Sequence, residues 1–130
     1  MWPFAKPKPT PSGVTIRNRL GEEIDRVEGV WDLTNADLRH RQWAHADLSG
    51  MSLDGSNCEA INLFGARLVK TSFSRCNLRN AEISFSNATG ADFWRANLDG
   101  CKMYRSETRL AHFREARISA DSDIPGRKIV

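Results

Sequence analysis

The chain has no long apolar run, no excess of one charge and very little cysteine, and each lack removes a class of protein. Its apolar stretches fall far short of the roughly twenty residues that a membrane-spanning helix needs. The N-terminus has neither the apolar stretch nor the small-residue cleavage site of a secretory signal, so a cytoplasmic location is expected. Lys and Arg number 19 against 16 Asp and Glu, a formal net charge of +3. The two signs are mixed along the chain rather than gathered in blocks. Cys58, Cys76 and Cys101 are odd in number and lack C-x-x-C spacing, which argues against a zinc or redox site. At 130 residues there is room for one domain and no separate catalytic one.

What the chain does have is a period of five. Leu33, Leu38, Trp43, Leu48, Leu53, Cys58, Leu63, Leu68, Phe73, Leu78, Ile83, Ala88, Phe93, Leu98, Met103, Thr108, Phe113 and Ile118 follow one another without insertion or deletion. Two residues before most of them stands a small one, such as Ala46, Ser56, Ala66, Thr71, Cys76, Ala81, Ala96 or Cys101. Neither the 3.6-residue turn of a helix nor the two-residue alternation of a strand accommodates this step. The small and large residues share one face of a short extended segment, and the chain must turn once per unit. A ribbon that always bends toward its apolar side winds into a coil with that side inward.

Columns at a step of twenty suggest four sides per coil. Leu33, Leu53, Phe73, Phe93 and Phe113 form one such column, a candidate core spine. Arg39, Glu59, Arg79 and Asp99 form another, with alternating charge that favours stacking. The units Ala36-Asp37-Leu38, Ala46-Asp47-Leu48, Ala91-Asp92-Phe93 and Ala96-Asn97-Leu98 resemble the A-(D/N)-(L/F)-x-x repeat of pentapeptide-repeat proteins. That resemblance implies an all-β fold, a right-handed quadrilateral β-helix with the large residue central on each side. The expected organisation is an arm at 1–13, a cap at 14–30, the β-helix at 31–120 and a tail at 121–130.

Departures from the pattern cluster near the start. Trp31, Arg41, Met51 and Ile61 stand at small positions and Trp43 at a central one. The first coil is therefore expected to be distorted, with Trp31 and Trp43 packed against whatever covers that end. The cap reads as a β-hairpin, 14–18 pairing with 23–27 around Leu20-Gly21-Glu22. A short amphipathic helix through Ile16, Leu20, Ile24 and Val27 also fits the spacing, although Gly21 opposes it. The proline-rich arm is expected to be extended and semi-rigid, with Trp2 and Phe4 near its tip. The tail is too short and broken for a helix. The resemblance implies a dimerising C-terminal helix in many relatives, and without one the last coil is expected to lie uncovered.

No catalytic constellation emerges. His40, His45 and His112 fall at outward positions on different sides or at opposite ends, and the carboxylates stand at the repeat's own polar position. The chain is thus expected to be non-enzymatic, with no cofactor, metal or small-molecule substrate. Outward aromatics are the better prospect. Phe64, Phe85 and Tyr104 recur about a coil apart on the third side, with Lys102 and Arg105 beside them, a composition typical of interfaces. Trp94 stands on another side near Arg75, Arg95 and Arg114.

The expected function is a rigid protein-interaction module. It would dock protein partners, or itself, through Phe64, Phe85, Tyr104, Arg105, the arm with Trp2 and Phe4, and the uncovered C-terminal end. A component of a larger assembly formed in the cytoplasm, such as a virion, would suit that shape. The resemblance also implies a second reading, a DNA mimic that binds DNA gyrase, but mimicry needs a strongly negative surface that this chain lacks. A third is nucleic-acid binding through Arg75, Arg95, Arg105, Arg109 and Arg114. Interleaved Asp92, Asp99, Glu107 and Glu115 dilute that field. No membrane partner is expected.

Overall fold

Each five-residue unit is one short extended segment closed by one tight turn. The central residue's carbonyl accepts the amide three residues on, Ala46 onto Trp43 at 3.1 Å and Met51 onto Leu48 at 3.0 Å. The third residue of the turn is left-handed whatever its side chain. Asn35, Arg75 and Phe85 hold φ of 50°, 59° and 58° there. Extended segments pair in parallel at steps of twenty, Asp37 with Asn57, Asn57 with Asn77, Asn77 with Asn97 and Asn97 with Arg117. Five-residue units stepping by twenty make four sides per coil, so the fold is a right-handed quadrilateral β-helix. The computed structural model describes residues 6–127, and Trp2 and Phe4 lie outside the described residues.

The inward residues form a narrow column. Phe73 and Phe93 stack with centroids 5.2 Å apart and planes 4° from parallel, and Phe93 and Phe113 repeat this at 5.0 Å and 8°. Leu33 and Leu53, both buried, occupy the same positions in the earlier coils. Coils about 4.8 Å apart bring flat rings into this offset stacking. Polar residues at the small inward positions are not idle space-fillers. Thr71 Oγ1 donates to the Leu48 carbonyl at 2.8 Å and Ser106 Oγ to the Ile83 carbonyl at 2.6 Å. The Cys76 thiol donates likewise to Leu53. Each buried donor therefore has a partner, which removes the cost of burying it. The hydrogen bond with Cys76, together with burial, raises the Cys58 thiol, and burial raises Cys101. Such thiols are poor nucleophiles.

A β-hairpin covers the N-terminal end, β1 at Val14–Arg17 and β2 at Glu23–Val27. Val14 faces Val27 and Ile16 faces Asp25, with the register shifting between Ile16 and Arg17. Asn18 Oδ1 shapes the turn by accepting the amides of Leu20 and Glu22 at 2.9 and 3.0 Å. Buried Ile16 and Val27 seat the hairpin on the column, and the Arg17 carbonyl takes the Asp47 amide at 2.8 Å. Asp25 is the fastener. Its Oδ2 accepts Trp43 Nε1 at 2.7 Å and Arg41 Nη1 at 3.0 Å. Burial alone would raise this carboxyl, yet hydrogen bonds from the Trp43 indole, the Arg26 amide and Arg41 bring it below its ordinary value.

Three expectations are corrected here. Trp43 packs under the cap, fully buried, but Trp31 is 63% exposed. The slot that holds Thr71 and Ala91 further along does not admit an indole, and no bridge joins Asp32 to Ser52 as its counterparts are joined elsewhere. The Arg39–Glu59–Arg79–Asp99 column forms no ion-pair ladder among the described residues. Arg39 instead turns to Asp37 at 2.8 Å, two residues away on the same outward face, and holds that carboxyl down to about 2. Asp99 pairs with Arg117 at 2.6 Å. An arginine fork reaches a neighbouring carboxylate more easily than it stands upright in a stack.

The third correction concerns the C-terminal end, which is not bare. Lys102 pairs with Asp123, a step of twenty-one, because one extra residue sits in the turn closed by Ser122 N–H onto Ser119 at 3.1 Å. The repeat then resumes. Ser122 Oγ donates to the Leu98 carbonyl at 2.6 Å, Ile124 is buried, and Arg127 N–H closes a turn through Pro125-Gly126 onto Ile124 at 3.0 Å. Proline followed by glycine is the pair that a type II turn favours. This last unit carries the Arg127 guanidinium 4.3 Å from the Phe113 ring, over the face that no further phenylalanine covers. Substituting Arg127→Ala should lower stability by about 0.5–2 kcal/mol. Thermal melts of the two chains would show this, and equal melting temperatures would mean that the ring needs no cover.

Candidate functional site

One corner of the coil carries a row of rings. At this corner each coil contributes two turn residues, Ala44 and His45, then Phe64 and Gly65, then Ser84 and Phe85, then Tyr104 and Arg105. In the first three coils one residue of the pair is a ring and the other is small. The ring alternates between the second and third turn positions, so successive rings zigzag instead of colliding. His45 meets Phe64 edge-on at 5.9 Å, Phe64 meets Phe85 at 5.3 Å tilted by 49°, and Phe85 meets Tyr104 edge-on at 5.8 Å. Arg105 lies 5.7 Å from the Tyr104 ring. The structure thus joins Phe64, Phe85, Tyr104 and Arg105 in one surface, and adds His45, one of the three outward histidines.

The small partners are what make the row continuous. A Cβ on Gly65 would lie 2.6 Å from His45 Nδ1, so only glycine lets that imidazole approach Phe64 across the corner. Ser84 is buried between coils, and its Oγ accepts the Tyr104 amide at 3.1 Å. Phe64, Phe85 and Tyr104 remain 38%, 49% and 52% exposed. Phe85 sits in the left-handed corner geometry, uncommon for a bulky residue and costing about 1–2 kcal/mol. At the cap end the row runs into a cleft of about 490 Å³ lined by Asn18, Arg19, Leu20 and His45. Leu20, at the hairpin tip, is 83% exposed and extends the apolar strip.

Charge is arranged beside this row. Asp47, Glu82 and Glu107 flank it, and none is in an ion pair among the described residues. Cations stand beside it as well, Arg19 at the cleft and Arg105 against Tyr104, neither with an ion-pair partner among the described residues. Lys102 Nζ donates to the Asp121 carbonyl at 2.6 Å and Arg67 Nε to Ser49 Oγ at 3.1 Å. The second aromatic site is closed by comparison. Arg75 and Arg95 lie 4.9 and 4.6 Å from the Trp94 ring, and Arg95 also pairs with Glu115 at 2.6 Å. Among the described residues no group of His, Cys, Asp and Glu is placed to hold a metal ion. No helix there is long and apolar enough to cross a membrane.

Three solved structures share the repeat. A pentapeptide-repeat protein from the thylakoid lumen of Arabidopsis thaliana is 21% identical, with a TM-score of 0.47, over 65% of this chain and 66% of that one. HetL of Nostoc, a pentapeptide-repeat protein involved in heterocyst differentiation regulation, is 26% identical with a TM-score of 0.37, over 68% and 43%. Rfr23 of the cyanobacterium Cyanothece, also a pentapeptide-repeat protein, is 23% identical with a TM-score of 0.31, over 62% and 65%. The chain therefore spans no more than about two thirds of their lengths. No curated protein matches it in sequence. The family profile for pentapeptide repeats matches eight copies, over residues 32–68 and 56–95. With that match over a β-helix of four five-residue sides, the chain belongs to the pentapeptide-repeat family.

Proposed function

We propose that this protein is a non-enzymatic interaction module, a stiff rod that presents the His45–Phe64–Phe85–Tyr104 row to a protein partner. The continuous, half-exposed ring row along one corner carries this reading. Aromatic rings on a rigid backbone lose little entropy on docking, and Tyr beside Arg recurs at energetic centres of interfaces. Membership of a larger assembly, a virion included, belongs to the same reading, and so does a cytoplasmic setting. The gyrase-mimic alternative gains nothing, since the formal charge of +3 opposes imitation of a phosphate backbone.

The test is a triple substitution, Phe64→Ser, Phe85→Ser and Tyr104→Ser. All three residues lie outside the core, so the melting temperature should move by only a few degrees. Partner capture by the immobilised chain should fall at least tenfold. Undiminished capture by a folded triple variant would remove the corner from consideration.

A further inference from the structure

The ring row alternates in a way that makes it complementary to a copy of itself. The corner joins the side centred on Trp43, Leu63, Ile83 and Met103 to the side centred on Leu48, Leu68, Ala88 and Thr108. In every coil the second turn residue stands on the first of these sides and the third on the second. Phe64 and Tyr104 therefore project from one flank of the corner, and His45 and Phe85 from the other. Beside each of the first three rings the opposite flank carries only Ala44, Gly65 or Ser84. The row is thus a series of knobs and hollows whose phase reverses from coil to coil. A two-fold axis parallel to the rod exchanges the flanks and keeps each coil level with its own copy. It sets His45 over Ala44 of the second copy, Phe64 over Gly65, Phe85 over Ser84 and Tyr104 over Arg105. A second β-helix also repeats its hollows at the same spacing, about 4.8 Å.

Shape alone also admits a two-fold axis across the rod, which would run the copies in opposite directions. Charge separates the two arrangements. Gln42, Asn62, Glu82 and Lys102 stack in one column beside the corner, and Asp47, Arg67, Asn87 and Glu107 in the other. Antiparallel copies would bring Asp47 toward Glu107 of the second copy twice over. Parallel copies bring Lys102 toward Glu107 twice, and every other charge in the columns toward an amide. Neither member of that pair is saturated. Lys102 gives one of its three protons to the Asp121 carbonyl, and Glu107 Oε1 accepts the Arg109 amide at 3.2 Å, leaving the other oxygen. The two sides recede from the corner, so only side chains of this length reach across. Arg105, 5.7 Å from its own Tyr104 ring, also comes against that ring of the second copy. Leu20, 83% exposed at the hairpin tip, lies level with Leu20 of the second copy only when the copies are parallel. Arg19 beside it approaches a like charge in either arrangement, Arg19 or Arg105 of the second copy, and does not choose between them.

We infer that the His45–Phe64–Phe85–Tyr104 corner pairs two copies of this chain side by side, parallel and level, across a two-fold axis along the rod. This rests on the corner being a docking surface and names its occupant. A single corner gives a narrow contact, which places the pair among weak, transient associations.

Sedimentation velocity over a concentration series tests this with the full chain and three variants, each shown to be folded by circular dichroism. The full chain should dimerise reversibly. The Phe64→Ser/Phe85→Ser/Tyr104→Ser variant should do so about tenfold or more weakly. Lys102→Glu and Glu107→Lys should each weaken the dimer about threefold or more, because each sets like charges together twice. An equal mixture of those two variants should dimerise as the full chain does, since both charge pairs are restored between unlike chains. A full chain that stays monomeric at every concentration, an undiminished triple variant, or a mixture no tighter than its components overturns the inference. A tighter dimer from Glu107→Lys overturns it as well, because only antiparallel copies bring residue 107 toward Asp47. Foreign-partner capture separates the two proposals. If the full chain stays monomeric yet captures a partner that the triple variant loses, the docking surface stands and its occupant is another protein.

Discussion

Replacing Phe93 with alanine should destabilise the protein by about 3–5 kcal/mol, the cost of emptying a fully buried aromatic site. Phe93 has no exposed surface and is stacked on both faces, at 5.2 Å by Phe73 and 5.0 Å by Phe113. No neighbour can close the gap, because the coil spacing is held by the backbone ladder on every side. The effect should also spread along the rod, since coils in a solenoid are stabilised by the coils next to them. Urea titration gives the measurement. Phe93→Ala should lower the midpoint strongly, while exposed Phe85→Ala should change stability by about 0.5 kcal/mol or less. Equal shifts for the two would mean that the stack contributes nothing beyond solvent-exposed rings.

The second large effect lies at the other end. Trp43→Ala should also cost about 3–5 kcal/mol, and it should release the cap in addition. The indole is buried beneath the hairpin and supplies one of the two side-chain hydrogen bonds to Asp25, at 2.7 Å. Without it, a half-buried carboxylate keeps only Arg41 as a side-chain donor, and β2 loses its anchor. Hydrogen exchange should show the β1–β2 amides losing protection well before those of the later coils. Uniform loss across the chain would show that the cap and the coil unfold together. The same site sets a pH dependence. The folded Asp25 carboxyl lies below its ordinary value, so its stabilisation is present above that ordinary value and is lost as pH falls through the folded one. Asp25→Asn should be less stable near neutrality and should lack that acid-side loss.

Much of this was legible from the order of residues, and the misses have specific causes. The five-residue period survives because every coil reuses the same two inward slots, and a column needs no distant partner to reveal itself. The Leu33–Leu53–Phe73–Phe93–Phe113 column could be found by counting. The final unit could not, because one extra residue between Ile118 and Asp123 breaks the count while leaving the coil intact. Trp31 and Trp43 look equally misplaced in sequence, but only Trp43 has Asp25 above it. The charge column failed because an arginine chooses among all carboxylates in reach, and Asp37 was nearer to Arg39 than counting by twenties suggested.

The candidate surface divides the same way. Phe64, Phe85 and Tyr104 were visible as outward aromatics about a coil apart, although they do not share a repeat position. His45 and Gly65 were not visible as members. Their roles depend on a close approach between the imidazole and a glycine corner one coil further on, and no pattern along the chain records that distance.

Sequence alone determined the five-residue unit and its inward and outward faces, because each is a local rule repeated many times; short columns at a step of twenty and the family resemblance pointed to four sides, and the parallel pairing at that step established them. Tertiary structure decided what happens where repetition stops. It placed Trp43 under Asp25 of the cap, Arg127 over the last phenylalanine, and one ring per coil along a single corner. At an end or a corner a side chain chooses its partner by distance in space, and the winding of the whole rod sets that distance.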